Sequence, residues 1–442
     1  MYDCIDSHRN SVSERGLSKV ALKWRKAGVW LIALAVLFSS WAAPVSAAFR
    51  DTGGHWAEAA IDAWQGYGVV SGFDGAFRPD DPVTRAEFAV MLDNIMKYQV
   101  QGQHGFPDLP AGKWYTGPMA RLHAAGVLSG ADGKALPDKP VSRQEAAALL
   151  ARAFGLTAED GASVRFADED DIAGWAKDAV RALVSRGVLN GYPDGTFKPE
   201  RTLSRAEAVT MFDRLIARFI HAPGEYGGDA DGIVVINAPD VTLKDAVIAG
   251  DLYITQGVGD GDVTLENVTV QGSVHVNGGG DGTIVFNGVR VSGALIVDKY
   301  DNKIRIVATG DTTVTVTVLE SGAMLVTREL TGGGFETVEI SADLAAGQEI
   351  ALEGDFGKVV NRSPEVQITA NGTIGELVAE ADTNITGDVR IELVTVPSDD
   401  VAVAVNGEPA TPGQPVATVP GGGSGGGGGT PGGGGSTPGG GG

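Results

Sequence analysis

Thr84-Arg85-Ala86-Glu87, Ser142-Arg143-Gln144-Glu145 and Ser204-Arg205-Ala206-Glu207 are three copies of one signature, and each follows a tryptophan and a glycine at a set distance. Trp56 to Gly68, Trp114 to Gly126 and Trp175 to Gly187 are each 12 residues apart, and the step from glycine to arginine is 17, 17 and 18. Two spacings held across three copies mark an internal repeat. The hydroxyl residue with Glu three positions later is a capping box, so a helix is expected to begin at each signature.

Each unit opens with an aromatic and an aspartate, Phe49-Arg50-Asp51, Phe106-Pro107-Asp108 and Phe166-Ala167-Asp168. A first helix follows, and Trp56, Ala60, Ala63, Trp64 and Tyr67 are expected to form its apolar face. Gly68, Gly126 and Gly187 stand where a left-handed C-terminal cap is wanted, each followed by two aliphatic residues ready to fold back on the last turn.

Arg85, Arg143 and Arg205 fall at the first position of the second helices, where a cation is unfavourable by roughly a few tenths of a kcal/mol. Two roles account for three such choices. One is an anion site made from a guanidinium and a helix N-terminus; the other is a bridge to an acid in a neighbouring repeat. The tryptophans also have two readings, as core or as rings lining a groove, where they would stack on a sugar. Gly72, Gly130 and Gly191 read as turn residues or as points of close approach to a ligand.

Composition changes near residues 225 and 400 of the 442, which predicts two folded units and a tail. Residues 1–47 read as a secretory signal, with Lys19, Lys23, Arg25 and Lys26 before an apolar run from Val29 to Phe38, and Val45-Ser46-Ala47 before a cut at Ala48. The run is about half the ~20 residues that a spanning helix needs, which argues against a membrane anchor. The one cysteine, Cys4, lies in that leader, so the mature chain is expected to have neither disulfide nor thiolate metal site. Loss of the leader removes six Lys/Arg and three Asp/Glu and takes the formal charge from −22 to −25. A body so acidic repels nucleic acid and anionic membranes and holds an anionic polymer only through local cationic sites.

From Asp231 the alphabet is Val, Ile, Thr, Leu and Gly. Asp240-Val-Thr-Leu, Asp262-Val-Thr-Leu and Gly282-Thr-Ile-Val begin a shorter period, with Gly250, Gly272 and Gly293 spaced by 22 and 21 residues. This reads as a β-solenoid, with a β-sandwich as the alternative. Asp245, Asn267 and Asn287 are expected to stack along the turns. After Lys299 the pattern loosens, although strands are still expected up to Val396.

Gly259-Asp260-Gly261-Asp262 and Gly278-Gly279-Gly280-Asp281 offer oxygens to calcium, but neither matches a full ligand cadence. The expectation is no cofactor, with calcium a weak alternative. The chain has no nucleophile elbow, phosphate loop or zinc-spaced histidine pair. Arg290, Lys299 and Arg305 near many carboxylates are compatible with a solenoid enzyme without singling one out. Glycine makes up 16 of the last 22 residues, which reads as a disordered linker. Whether the chain is a fragment of a longer protein stays open.

The repeats resemble the S-layer homology (SLH) family over residues 48–221, with F-x-D, W, G-V, G-Y-P-D-G-x-F-x-P and [ST]-R-A-E in order in the third. The resemblance implies a three-pronged, pseudo-threefold helical module that attaches exported proteins to bacterial cell walls. In that family, grooves between prongs hold the pyruvylated sugar ending an anionic secondary cell-wall polysaccharide. Carried over, this nominates Arg85, Arg143, Arg205, Trp56, Trp114, Trp175, Gly72, Gly130 and Gly191. In the second repeat Ala131 stands in place of Phe73 and Tyr192, and Ala135 in place of Phe77 and Phe197. Its groove is therefore expected to be the weakest, and loss of Arg143 to matter least. A much looser resemblance links the β-rich half to β-helical stretches of large Gram-positive surface proteins.

The expected class is an α+β multidomain protein: an all-α three-repeat module, then a right-handed β-helix-like solenoid and a disordered tail. Its segments are signal 1–47, repeats 48–98, 105–155 and 165–220 within 48–221, linker 222–230, solenoid 231–397 and tail 398–442. The expected function is a non-enzymatic, wall-anchored surface protein with a β-rich stalk, whose partners are the wall polysaccharide and, through self-assembly, its own copies. The alternative is a wall-anchored polysaccharide-degrading enzyme with its catalytic centre in the solenoid.

Overall fold

A computed structural model of the chain describes residues 48–100, 105–158, 165–280, 283–301 and 304–417. The leader with Cys4, Asp281, Gly282 and the glycine-rich stretch from 418 lie outside the described residues. All helices and strands below belong to one compact unit, Arg50–Gly442.

Each repeat contributes two helices: α1 (Glu58–Gly66) and α2 (Arg85–Met96), α3 (Thr116–Ala124) and α4 (Arg143–Ala153), α5 (Lys177–Ser185) and α6 (Arg205–Leu215). α2, α4 and α6 all begin with complete capping boxes at Thr84, Ser142 and Ser204. Gly68, Gly126 and Gly187 adopt φ of 71°, 72° and 69°. The aliphatic pairs behind them are buried, and the Val69 amide donates to Trp64 O at 3.0 Å. The apolar face of the first repeat is not the expected one. Ala57, Ile61 and Trp64 are its buried positions, because Trp56 precedes the helix and turns outward.

The repeats close into a ring through their backbones. The Val83 amide donates to Leu203 O (3.0 Å), Leu203 to Val141 O (3.1 Å) and Val141 to Val83 O (2.9 Å), and all three side chains are buried. This cycle is the pseudo-threefold centre, with each repeat joined to both others.

α6 runs straight into the strand Ile216–Ile220, the first of a parallel β-solenoid of about nine coils. Val241 pairs with Val263, Val263 with Ile284, and Thr283 with Arg305, steps of 22, 21 and 22 residues. Alternating inward residues such as Leu243, Leu265 and Phe286 stack coil on coil in a continuous apolar column. Past Lys299 the solenoid continues with coils of uneven length: Ala323 pairs with Ile350, Ile350 with Ile368 and Ile368 with Ile385, steps of 27, 18 and 17. The irregular period hides this from a reading of the sequence, yet the pairing is unbroken.

Two expected segments differ. Residues 222–230 hold the strand Gly224–Gly227, paired with Val241–Ile248, and so belong to the solenoid. Beyond Ser398, short strands Val403–Val405, Glu408–Pro409 and Val416–Ala417 continue it, Glu408–Pro409 pairing antiparallel with Val403–Val405 and Val416–Ala417 antiparallel with Val389–Thr395, which closes the end of the stack. Such closure hides a sheet edge that would otherwise offer unpaired amides. At the coil corners Asn267 Nδ2 donates to Asp245 Oδ1 at 3.1 Å, as expected. The third member differs: Asn287 pairs with Glu266, and Gly288 takes the left-handed corner at φ 66°.

The solenoid packs on the helices through aromatic side chains. Phe219 lies 5.5 Å from the Trp64 ring, Tyr253 packs edge-on against Phe154, and its hydroxyl donates to Phe154 O at 2.6 Å.

Candidate functional site

The signature arginines are buried, with 5, 6 and 8 % of Arg85, Arg143 and Arg205 exposed. Each reaches out of its own repeat into the next. Arg85 donates through Nε to Ala135 O (3.0 Å) and through Nη2 to Ser129 O (3.0 Å), with Glu145 at 3.4 Å. Arg143 donates to Phe197 O (2.9 Å) and Asn190 O (2.8 Å). Arg205 closes the cycle on the first repeat, donating to Phe77 O, Ser71 O (both 2.8 Å) and Glu87 (2.7 Å).

The bridging role is therefore realised, and the open helix-terminus anion site is not. The first amides of these helices are taken by the neighbouring repeat: Arg85 N by Lys139 O, Arg143 N by Arg201 O and Arg205 N by Asp81 O, each at 2.9 Å. The third is held by its own capping hydroxyl. Burial pulls the Arg85 and Arg143 guanidinium groups below their ordinary pKa, with Glu145 acting against that at Arg85. Burial also opposes ionisation of Glu145, but the Ser142 amide, Lys139 and Arg85 outweigh it and hold this carboxyl below its usual range.

The tryptophans are not core. Trp56, Trp114 and Trp175 are 63, 61 and 55 % exposed, and each stands over a groove. The first groove, about 460 Å³, combines Arg205 of the third repeat, Gly72 and Phe73 of the first, and Trp114 of the second. The second, about 360 Å³, combines Arg85, Gly130 and Trp175. The third, about 270 Å³, combines Arg143, Asn190 and Trp56. Every groove thus takes its arginine, loop and tryptophan from three different repeats, so none exists in an isolated repeat. Of the nine nominated residues, Gly191 is the one not lining its groove.

The glycines have an internal cause. A Cβ on Gly130 would stand 2.3 Å from the Phe106 ring, and one on Gly191 2.6 Å from Phe166. The opening aspartates, unassigned from sequence, hold these loops in place. Asp51 accepts from the Phe77 and Arg78 amides, Asp108 from Ala135 and Leu136, and Asp168 from Phe197 and Lys198, all at 2.7–2.9 Å. Burial works against their ionisation, yet these amides hold the Asp51 and Asp108 carboxyls below the ordinary range. The signal was present in the repeated F-x-D.

The expected ranking of the arginines changes as well. Because each crosses to the next repeat, the one facing the alanines of the second repeat is Arg85. Arg143 lies over the rings of Phe197 (4.7 Å) and Tyr192 (5.0 Å), and Arg205 over Phe77 (4.6 Å). The groove at the second repeat lacks such a ring, as expected, but the arginine concerned is not Arg143.

A further cavity of about 410 Å³ lies between helices and solenoid, lined by Tyr98, Tyr253, His275 and Tyr300 with Asp298 and Glu320. Asp298 keeps an exposed edge, yet loss of hydration pushes its carboxyl up; Glu320 is raised too, by burial and then by Asp298. Arg290, Lys299 and Arg305 do not converge: Arg290 pairs with Asp311, Lys299 with Asp260 and Asp301, and Arg305 donates to Thr283. Among the described residues no three acids, histidines or cysteines are grouped to hold a metal ion.

Residues 48–89, 105–147 and 165–209 each match the S-layer homology domain. The chain is 30 % identical over 225 residues to the surface-layer 125 kDa protein of Lysinibacillus sphaericus, covering 48 % of this chain and 18 % of that one. It is 26 % identical over 375 residues to the S-layer protein sap of Bacillus anthracis, covering 74 % and 44 %. An amylopullulanase of Thermoanaerobacterium thermosulfurigenes matches at 29 % over 176 residues, 38 % of this chain and 10 % of that enzyme. In each case the match spans less than half of the relative. The ring of three capped helices and the three composite grooves are built by these matched segments, so the chain carries three S-layer homology domains that lead into a β-solenoid.

Proposed function

We propose that the helical module fastens this protein to the cell surface by holding an acidic secondary polysaccharide of the wall, ending in a pyruvylated sugar, in its grooves. The single observation that carries the reading is the construction of each groove: an exposed tryptophan facing a guanidinium-bearing wall, with all three repeats contributing. An indole face suits the apolar side of a sugar ring, and an arginine suits a carboxylate. Several weak sites on one polymer layer add through effective concentration. The solenoid, with basic side chains paired locally along its coils, serves as a structural stalk, and self-assembly into a surface layer is consistent with the S-layer relatives. No cofactor enters this reading. Among the described residues no helix is long and apolar enough to cross a membrane.

The test is sedimentation of the full chain with purified walls, before and after chemical removal of the non-peptidoglycan polymer. Trp56→Ala, Trp114→Ala and Trp175→Ala should each weaken retention while leaving the fold intact. Equal retention on stripped walls would refute polymer binding.

A second reading, a wall-anchored polysaccharide-degrading enzyme, is favoured by one feature, the paired raised carboxylates Asp298 and Glu320 in the interdomain cavity. Release of reducing ends from wall polysaccharide, abolished by Glu320→Gln, would support it. Equal release by both proteins would dismiss it.

A further inference from the structure

The three grooves share a plan but not a charge. In the first, Arg78 and Arg205 face Asp81 and Glu87, which leaves the lining formally neutral. In the second, Arg85 and Arg152 face Glu145. In the third, Arg143 and Arg214 face Glu207. The capping-box glutamates of these two grooves also meet a further cation, Lys139 at 2.9 Å and Arg201 at 2.8 Å. The first repeat has Asp81 at that place.

The difference concentrates at one position. Asn94, Arg152 and Arg214 each lie nine residues after a signature arginine, and each lines the groove of its own repeat. Asn94 Nδ2 donates to Val69 O at 3.1 Å. Arg152 makes the matching contact, to Val127 O at 3.4 Å, and touches Ser129 Oγ at 3.3 Å. Among the described residues neither Arg152 nor Arg214 is in an ion pair, and both are exposed. The signature arginines, by contrast, donate to carbonyls across the repeat boundary. Arg85 is bonded to two carbonyls and Glu145, and Arg143 is buried with its donors on two carbonyls, so each presents a ligand with few free donors, whereas an exposed arginine at the groove wall keeps most of its fork.

We propose that the second and third grooves take the carboxylate-bearing sugar through Arg152 and Arg214, while the first groove, with Asn94 and Phe73, takes an uncharged sugar. This rests on the reading of the module as a binder of acidic wall glycan and adds which grooves, and which side chains, recognise the acid. It also makes position nine the determinant of charge preference within each repeat.

The test is calorimetric titration of the full chain with a pyruvyl-ketal disaccharide and with its methyl ester, which keeps the shape and removes the charge. The wild-type protein should bind two molecules of the acid, and the ester about tenfold more weakly. Arg152→Gln and Arg214→Gln should each remove one of the two sites, Arg152→Lys should retain it, and Asn94→Arg should add a third. Thermal melts of these surface variants should match the wild type. An acid stoichiometry other than two, or two sites that survive both glutamine substitutions, would overturn the assignment. Failure of the wild-type protein to bind the acid at all would overturn the underlying acidic-glycan reading, so the two failures are told apart by which protein shows the defect.

Discussion

Replacing Arg205 by alanine should damage the fold before it damages any ligand contact. Its guanidinium donates to Phe77 O, Ser71 O and Glu87, and it is one of the three side chains that close the ring of repeats. Removing it strands two loop carbonyls and a glutamate that shared its charge. Bonds from a charged donor contribute about 1.5–3 kcal/mol each, and allowing for non-additivity the loss should be about 4–6 kcal/mol. Against a typical total of about 5–15 kcal/mol, that is a large part of the stability of the helical module. At about 2–4 °C per kcal/mol, the helical melting transition should fall by roughly 8–24 °C. Circular dichroism at 222 nm on the full chain, wild type against Arg205→Ala, measures it. Arg205→Lys keeps a charge but reaches fewer of the three acceptors and should fall between them. A Tm for Arg205→Ala within about 2 °C of wild type would refute the view that this arginine is chiefly a clamp between repeats. Loss of wall binding in signature-arginine variants is then expected from disassembly of the grooves, and the exposed tryptophans report on the ligand more directly.

The remaining predictions concern stability. Thr317 Oγ1 is buried without a hydrogen-bond partner in a column with Leu295 and Val338, so Thr317→Val should stabilise the solenoid by about 1–2 kcal/mol, read from chemical denaturation. Glu145 has a folded pKa below its ordinary 4.5, so its contribution is present above that value and is lost as pH falls through the lower folded one. Denaturation midpoints measured down to pH 3 should fall less steeply for Glu145→Gln, which starts from a lower stability at pH 7. Asp298 shows the opposite sign: its raised folded pKa means that ionisation disfavours the fold, so Asp298→Asn should be stabilising at pH 7 and neutral well below pH 3.8. A destabilising effect at pH 7 would contradict that account.

The sequence by itself determined the features governed by neighbours along the chain. The repeats, the helix starts at Thr84, Ser142 and Ser204, the left-handed caps at Gly68, Gly126 and Gly187, and the coil period up to Gly293 all follow from hydrogen bonds or steric limits within a few residues. Even the lack of rings in the groove of the second repeat was visible, since Ala131 and Ala135 stand where the other repeats carry aromatics. Tertiary structure alone decided which side chains meet. Arg143 faces the aromatics of the third repeat and not the alanines of its own, because the ring closure passes each guanidinium forward by one repeat. Trp56 turns outward, although its helical spacing to Trp64 fits an apolar face, because the helix begins only at Glu58 and its neighbours fill the core. The amides at the helix starts, available to an anion in any isolated repeat, are occupied by carbonyls that the next repeat supplies. Local patterns fix what each segment can form, and the closing of three such segments on one another fixes which charges are paired inside and which remain facing a groove.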